Sequence, residues 1–226
     1  MTGMNLQQGL QDLSIQFVPF MMAVVFHEFA HGYMANRYGD TTARDAGRLT
    51  LNPAPHVDVL GTLILPILMM VSGVSFLFGW ARPVPINPSR FKNYRSGLFW
   101  VSFAGPGMNF LMALVSGAAF AAIRTWMPET FYLHEPLVSM AIASVTVNYA
   151  LAIFNLIPLP PLDGSKMIQS FLSYDATRKY EAISQYSFFI LMGLMWTGSL
   201  SVLGYPIVFL RNLTLYGMTL LFGSPL

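Results

Sequence analysis

The sequence contains no cysteine, and charge is scarce: among 226 residues there are 12 basic and 10 acidic side chains, 10% of the chain. The missing cysteines exclude a disulfide-stapled scaffold. The scarcity of charge excludes a soluble globule, which carries roughly 25% Asp, Glu, Lys and Arg to cover its surface. No three-residue glycine period marks a collagen, and 54% hydrophobic residues are far too many for a disordered chain. The few basic residues lie scattered among apolar runs and form no stripe, so nucleic acid is not a partner. A polytopic membrane protein is what remains.

Long stretches free of Asp, Glu, Lys and Arg fit that class. Val59–Trp80 has 22 such residues, Gly97–Ile123 and Pro136–Leu162 have 27 each, and Ala182–Leu210 has 29. About 20 apolar residues cross a hydrocarbon core. Ile15–Tyr33 makes a further span although it holds His27, Glu28 and His31. Pro206–Phe222, with Arg211 and Asn212 near its middle, is a sixth span or an interfacial helix. The expected fold is all-α, with six transmembrane helices, or five, in one membrane domain of residues 1–226. The first 13 residues hold no Lys or Arg, so no signal-peptide head is expected and the first helix is retained. Arg82, Arg90, Lys92, Arg95, Lys166, Arg178 and Lys179 outnumber the basic residues of the opposite loops. That bias puts the amino terminus in the cytoplasm of a multi-pass protein. Alternating side chains before turn signals predict short strands or re-entrant loops at Arg48–Asn52 and Val84–Asn87, the second confined by its prolines to an edge.

The strongest chemical signal is His27-Glu28-Phe29-Ala30-His31. Four residues turn a helix by about 400°, so the two histidines share a face within roughly 40°. Two imidazoles one turn apart can ligate one zinc ion, and the adjacent glutamate can act as base toward a water acidified by the metal. The alternative is a buried polar cluster without metal. Each ionisable residue at the bilayer centre costs on the order of 3 kcal/mol, which makes three of them hard to retain as packing alone.

A hydrolytic zinc needs a third protein ligand and an open position. Asp163 is the candidate, in Asn155-Leu-Ile-Pro-Leu-Pro-Pro-Leu-Asp163-Gly164. Pro158, Pro160 and Pro161 break the fourth helix there, and broken backbone at membrane depth is tolerated only against protein or a water-filled cavity. Asp163 could equally cap a helix that follows it.

HExxH on a membrane helix, with N-x-x-P-x-x-P-x-D-G more than a hundred residues later, resembles the site-2 protease family of intramembrane zinc metalloproteases. Ala46-Gly-Arg-Leu-Thr-Leu-Asn-Pro53, His56-Val-Asp58, Gly61-Thr62 and Ala104-Gly-Pro-Gly-Met-Asn109 resemble its short prokaryotic members, which lack PDZ and CBS domains. The resemblance implies that His27, His31 and Asp163 ligate one Zn²⁺ and that Glu28 is the general base. It also implies cleavage of peptide bonds in or near transmembrane segments of membrane-protein substrates, in a prokaryotic cell membrane.

Three further polar groups are candidates. Asn155 and, less directly, Asn109 could hydrogen-bond a substrate carbonyl, whereas Asn148 reads as interhelical hydrogen bonding. His56 and Asp58 could orient the metal ligands or form an accessory metal site, but read first as a helix start, with Asp58 as the cap and His56 in the headgroup layer. The competing function is a divalent-ion transporter or channel using the same His/Glu/Asp cluster. It would call for an inverted repeat and a second broken helix, and the sequence has neither.

Overall fold

The computed structural model describes residues 6–64, 68 and 82–223. Helix α1 (Leu6–Arg37) is followed by the short α2 (Thr42–Asp45) and a π-helical turn, Val59–Ile64. Then come α3 (Tyr94–Trp126), α4 (His134–Asn155), the short α5 (Asp163–Gln169), α6 (Tyr174–Trp196) and α7 (Gly204–Phe222). Local chemistry sets several boundaries. The side chains of Asn93 and Ser173 accept from the N–H groups of Ser96 and Ala176, capping α3 and α6. Asp58 caps the π-helical turn by accepting from Gly61 N–H at 2.8 Å, while its own N–H donates to Thr62 Oγ1.

The core is a three-helix wall in which α1, α3 and α4 pack on one another, with α5 against α3 and α7 against both α3 and α4. Small residues line the contacts: Ala23, Ala30, Ala35, Ala113, Ala121 and Ala152 are buried. They let backbones approach where lipid supplies no hydrophobic drive between helices. Ala113, Val145 and Tyr149 form one cluster, and Tyr149 and Thr214 share a 2.6 Å hydroxyl hydrogen bond to α7. The outer faces stay apolar, with Trp100, Leu111, Val115, Phe189 and Leu221 exposed. Trp126 and Trp196 project from helix ends, as aromatic residues do at a membrane interface.

Among the described residues α3 and α4 are long and apolar enough to cross a membrane, and this is a membrane protein. Phe189–Trp196 with Ser199–Phe222 makes a third span if that pair, bent by 80°, is taken as one. The run Ala182–Leu210 is therefore not one straight helix. Gly198 takes a left-handed φ of 69° and starts a 3₁₀ turn at Ser199–Leu203 that redirects the chain into α7. Ile15–Tyr33 lies within α1, whereas most of Val59–Trp80 falls outside the described residues.

The expected strands do not form; no strand occurs among the described residues. Other partners, mostly side chains, have taken the place of the ladder. Arg48 N–H bonds back to Ala43 O, and its guanidinium donates to the carbonyls of Arg82 and Pro83. Across the second segment, Val84 N–H donates to Glu28 and Asn87 N–H to Asp40, while Pro83, Pro85 and Pro88 have no N–H to give.

Candidate metal centre

His27 and His31 lie on one face of α1, and the fold brings Asp163 to them from 132 residues beyond His31. The two Nε2 atoms are 3.0 Å apart, and each is 3.2 Å from Asp163 Oδ2. Bonds of about 2.0–2.1 Å to a tetrahedral zinc separate neighbouring ligand atoms by about 3.3 Å, so this triangle fits one divalent ion. The neighbouring proton assignments strengthen the fit, because they leave three lone pairs pointing at one place.

Those assignments follow from three main-chain carbonyls, those of Ser144, Ala23 and Val101. The Asn148 amide nitrogen donates to Ser144 O at 2.9 Å, so its oxygen must face Asn109. The Asn109 nitrogen donates to that oxygen and to Ala23 O, so the Asn109 oxygen must face His27. His27 Nδ1 therefore carries the proton and donates it at 2.6 Å, leaving Nε2 bare. His31 Nδ1 likewise donates to Val101 O at 2.7 Å. Such partners set tautomer and ring angle in metal sites. Both come from α3, which can lie this close because position 105 is glycine. A methyl on Gly105 would sit 2.7 Å from His27 Nε2 and closer still to His31 Nε2.

Asp163 owes its place to the end of α4. The helix stops at Asn155, and residues 156–162 fold into tight turns containing Pro158, Pro160 and Pro161 before α5 begins at Asp163 itself. Leu162, with no side-chain cap, occupies the capping position, so the Asp163 carboxylate is turned to the histidines. Gly164 runs against the carbonyls of Leu156 and Ile157, leaving no space for a side chain.

Glu28 is half-buried and accepts from Val84 N–H at 2.7 Å. It lines the same cavity of about 230 Å³ as the two histidines, Asp163, Asn155 and Lys166. Asn155 uses one N–H on Leu151 O, and a primary amide has a second. Asn109 stands elsewhere than its expected substrate contact requires: it is fully buried behind His27, with its oxygen and both nitrogen contacts engaged. His56 is also fully buried, its Nε2 donating to Thr50 O, and neither it nor Asp58 lines the cavity.

The sequence reading missed the grip of Val84 on Glu28, the contact of Gly105 with the imidazoles and the place of Lys166. The proline spacing 83, 85, 88 was the available sign that this segment would lack a strand's donors and need other partners.

The model of peptidase family M50 matches residues 131–195, the stretch that carries Asn155 and Asp163. The chain is 33% identical to the "Putative zinc metalloprotease YwhC" of Bacillus subtilis (strain 168) over 192 residues, 84% of each chain. It is 27% identical to the "Putative zinc metalloprotease Rip2" of Mycolicibacterium smegmatis, over 84% of this chain and 70% of that one. No solved structure matches. A metalloprotease relative of this identity and coverage, together with the family match, identifies the protein as a metallopeptidase: the chain belongs to peptidase family M50, the site-2 protease family.

Proposed function

We propose that this metallopeptidase hydrolyses peptide bonds in or near transmembrane segments of other membrane proteins, as the cutting step of regulated intramembrane proteolysis. The observation that carries the reading is the 3.0–3.2 Å triangle of His27, His31 and Asp163 beside Glu28, at a cavity between helices of a membrane protein. In this reading those three residues hold one Zn²⁺. When bound, such an ion would act as a Lewis acid toward the scissile carbonyl and would lower the pKa of a water. Glu28 takes the proton of the attacking water and delivers it to the leaving amine. The second N–H of Asn155 donates to the substrate carbonyl as negative charge develops. A substrate helix hides its carbonyls in internal hydrogen bonds, so it unwinds before it reaches these groups.

The chain is read as a single multi-pass domain of a prokaryotic cell (inner) membrane. Ile15–Tyr33 and Val59–Trp80 are added to the spans above, giving five or six with a cytoplasmic amino terminus. Its partners are the lipid bilayer and membrane-anchored substrates.

The test is Glu28→Gln in purified, zinc-loaded protein given a single-span substrate. Loss of cleavage with unchanged zinc is expected, and cleavage near the wild-type rate would remove Glu28 as base. Asp163→Ala should lower bound zinc; unchanged stoichiometry would take Asp163 out of the ligand set. Metal flux into proteoliposomes without proteolysis would favour transport instead.

A further inference from the structure

Asp40 is fully buried, carries a carboxylate and has no part in the chemistry above. A Schellman turn puts it there. Gly39 takes a left-handed φ of 105°, Gly39 N–H bonds to Asn36 O, and Asp40 N–H bonds to Ala35 O. The carboxylate is then turned away from α1 and collects donors. Oδ1 accepts from the Thr42 N–H at 3.0 Å and from the Thr42 hydroxyl, and Oδ2 accepts from Asn87 N–H at 2.6 Å. Burial alone would raise the Asp40 carboxyl. The hydrogen bonds from Thr42 and Asn87, with the charge of Arg90 nearby, outweigh it and hold the group below the usual aspartate range. It is a charged acceptor.

Asn87 is three residues from Val84, whose N–H holds Glu28. Main-chain N–H groups along this stretch are few, because Pro83, Pro85 and Pro88 have none and Arg82 N–H bonds to His56 O; its other ties are the Arg48 guanidinium on Arg82 O and Pro83 O and the packing of Ile86 on the Ala35, Phe91 and Val101 cluster. Two carboxylates of one chain region, Glu28 within α1 and Asp40 just past its end, thus grip the two ends of Val84–Asn87. The segment also lines the cavity through Val84 and Ile86.

We propose that Asp40 is a positioning residue for the hydrolysis: by holding Asn87 it fixes the Val84–Asn87 segment, so that the Val84 amide sets the orientation of the Glu28 carboxylate in the cavity. This rests on the reading of Glu28 as base, and the experiment separates the two. Asp40→Asn is nearly isosteric, but its NH₂ must oppose a donor, either Thr42 or Asn87. In full-length, zinc-loaded protein, hydrogen exchange should then speed up at least 10-fold at the Val84 and Asn87 amides, with α3 and α4 unchanged. Turnover of a transmembrane substrate should fall about 10–100-fold in kcat, with zinc content unchanged and KM within about twofold. Glu28→Asp supplies the second arm, since residues that act through one another are non-additive. In that background Asp40→Asn should cost less than threefold further. Unchanged exchange at Val84, or fully additive losses in kcat, would overturn the proposal. Should Asp40→Asn not fold, Thr42→Val keeps the charge, removes one donor and should raise exchange at Asn87 severalfold; no change there overturns it equally. A Glu28→Gln variant that still cleaves normally, with the exchange result intact, would sink the base assignment and leave the clamp standing.

Discussion

The two histidines and the two carboxylates of this site are held by different kinds of structure. His27 and His31 are backed by the α1–α3–α4 wall, where each Nδ1 meets a buried group inside a long helix, the Asn109 amide or the Val101 carbonyl. Glu28 and Asp163 depend instead on proline-containing segments without regular structure, 82–87 and 156–162. The contrast matches the tasks proposed for them. Ligand nitrogens must keep their geometry whether or not substrate is present, and a dense helical wall does that. On the proposed mechanism the groups beside the substrate sit where an unwound peptide would enter, and irregular segments can give way there without breaking a helical ladder.

The comparison predicts that damage to the wall costs metal and that damage to the rim costs turnover, except at Asp163, which is itself a proposed ligand. The largest effect is expected from Gly105→Ala, whose methyl lands on both ligand nitrogens. Zinc measured by atomic absorption should fall to near zero, with no detectable cleavage; stoichiometric zinc would show that α3 can retreat. Asn155→Ala, on the rim, should lower kcat by roughly 10²-fold, in the range for removing one donor to a developing oxyanion, while zinc stays at wild-type content. Asn109→Ala, in the wall, should weaken zinc by about 10–100-fold, as loss of a ligand's hydrogen-bond partner does. Chelator competition measures that loss, and excess zinc should restore turnover.

Asp40 gives a pH-dependent expectation. Its carboxyl is lowered on folding, so its stabilisation is fully present above the ordinary aspartate pKa of about 3.9. It is lost as pH falls from there through the lower folded value. The difference in Tm between wild type and Asp40→Asn should be flat from about pH 5 to 8 and shrink only in acid. A difference that shrank near pH 6–7 would assign it to another group. The smallest effect is expected at Tyr180, whose hydroxyl donates to Pro158 O at 2.6 Å on the exposed side of the proline turn. Tyr180→Phe should cost about 1 kcal/mol or less, the usual net worth of one such bond, with zinc unchanged.

What was legible in the sequence was whatever depends on spacing within one element. HExxH placed two imidazoles on one helical face, the charge-free runs 97–123 and 136–162 marked α3 and α4, and three prolines within four residues ended α4 before Asp163. The strand prediction failed at 48–52 and 84–87 for a definite reason. Alternation of side chains says nothing about where main-chain donors go: carboxylates from α1 and just beyond it took those of Val84 and Asn87, while Arg48 N–H went to Ala43 O and Asn52 N–H to the Thr50 hydroxyl. Asn109 was misplaced because an asparagine in an apolar helix looks the same in sequence whether it faces a cavity or the back of an imidazole.

The sequence by itself therefore determined the class of protein and the helical phase of His27 and His31. Only the tertiary structure decided which groups meet: the approach of α3 through Gly105, the hydrogen-bond direction that leaves both Nε2 atoms bare, and the grip of Glu28 and Asp40 on Val84–Asn87. The physical reason is range. Helical periodicity and proline act over a few residues of one chain segment. Ligand geometry and hydrogen-bond polarity depend on atoms within about 3 Å in space, from segments that may be more than a hundred positions apart.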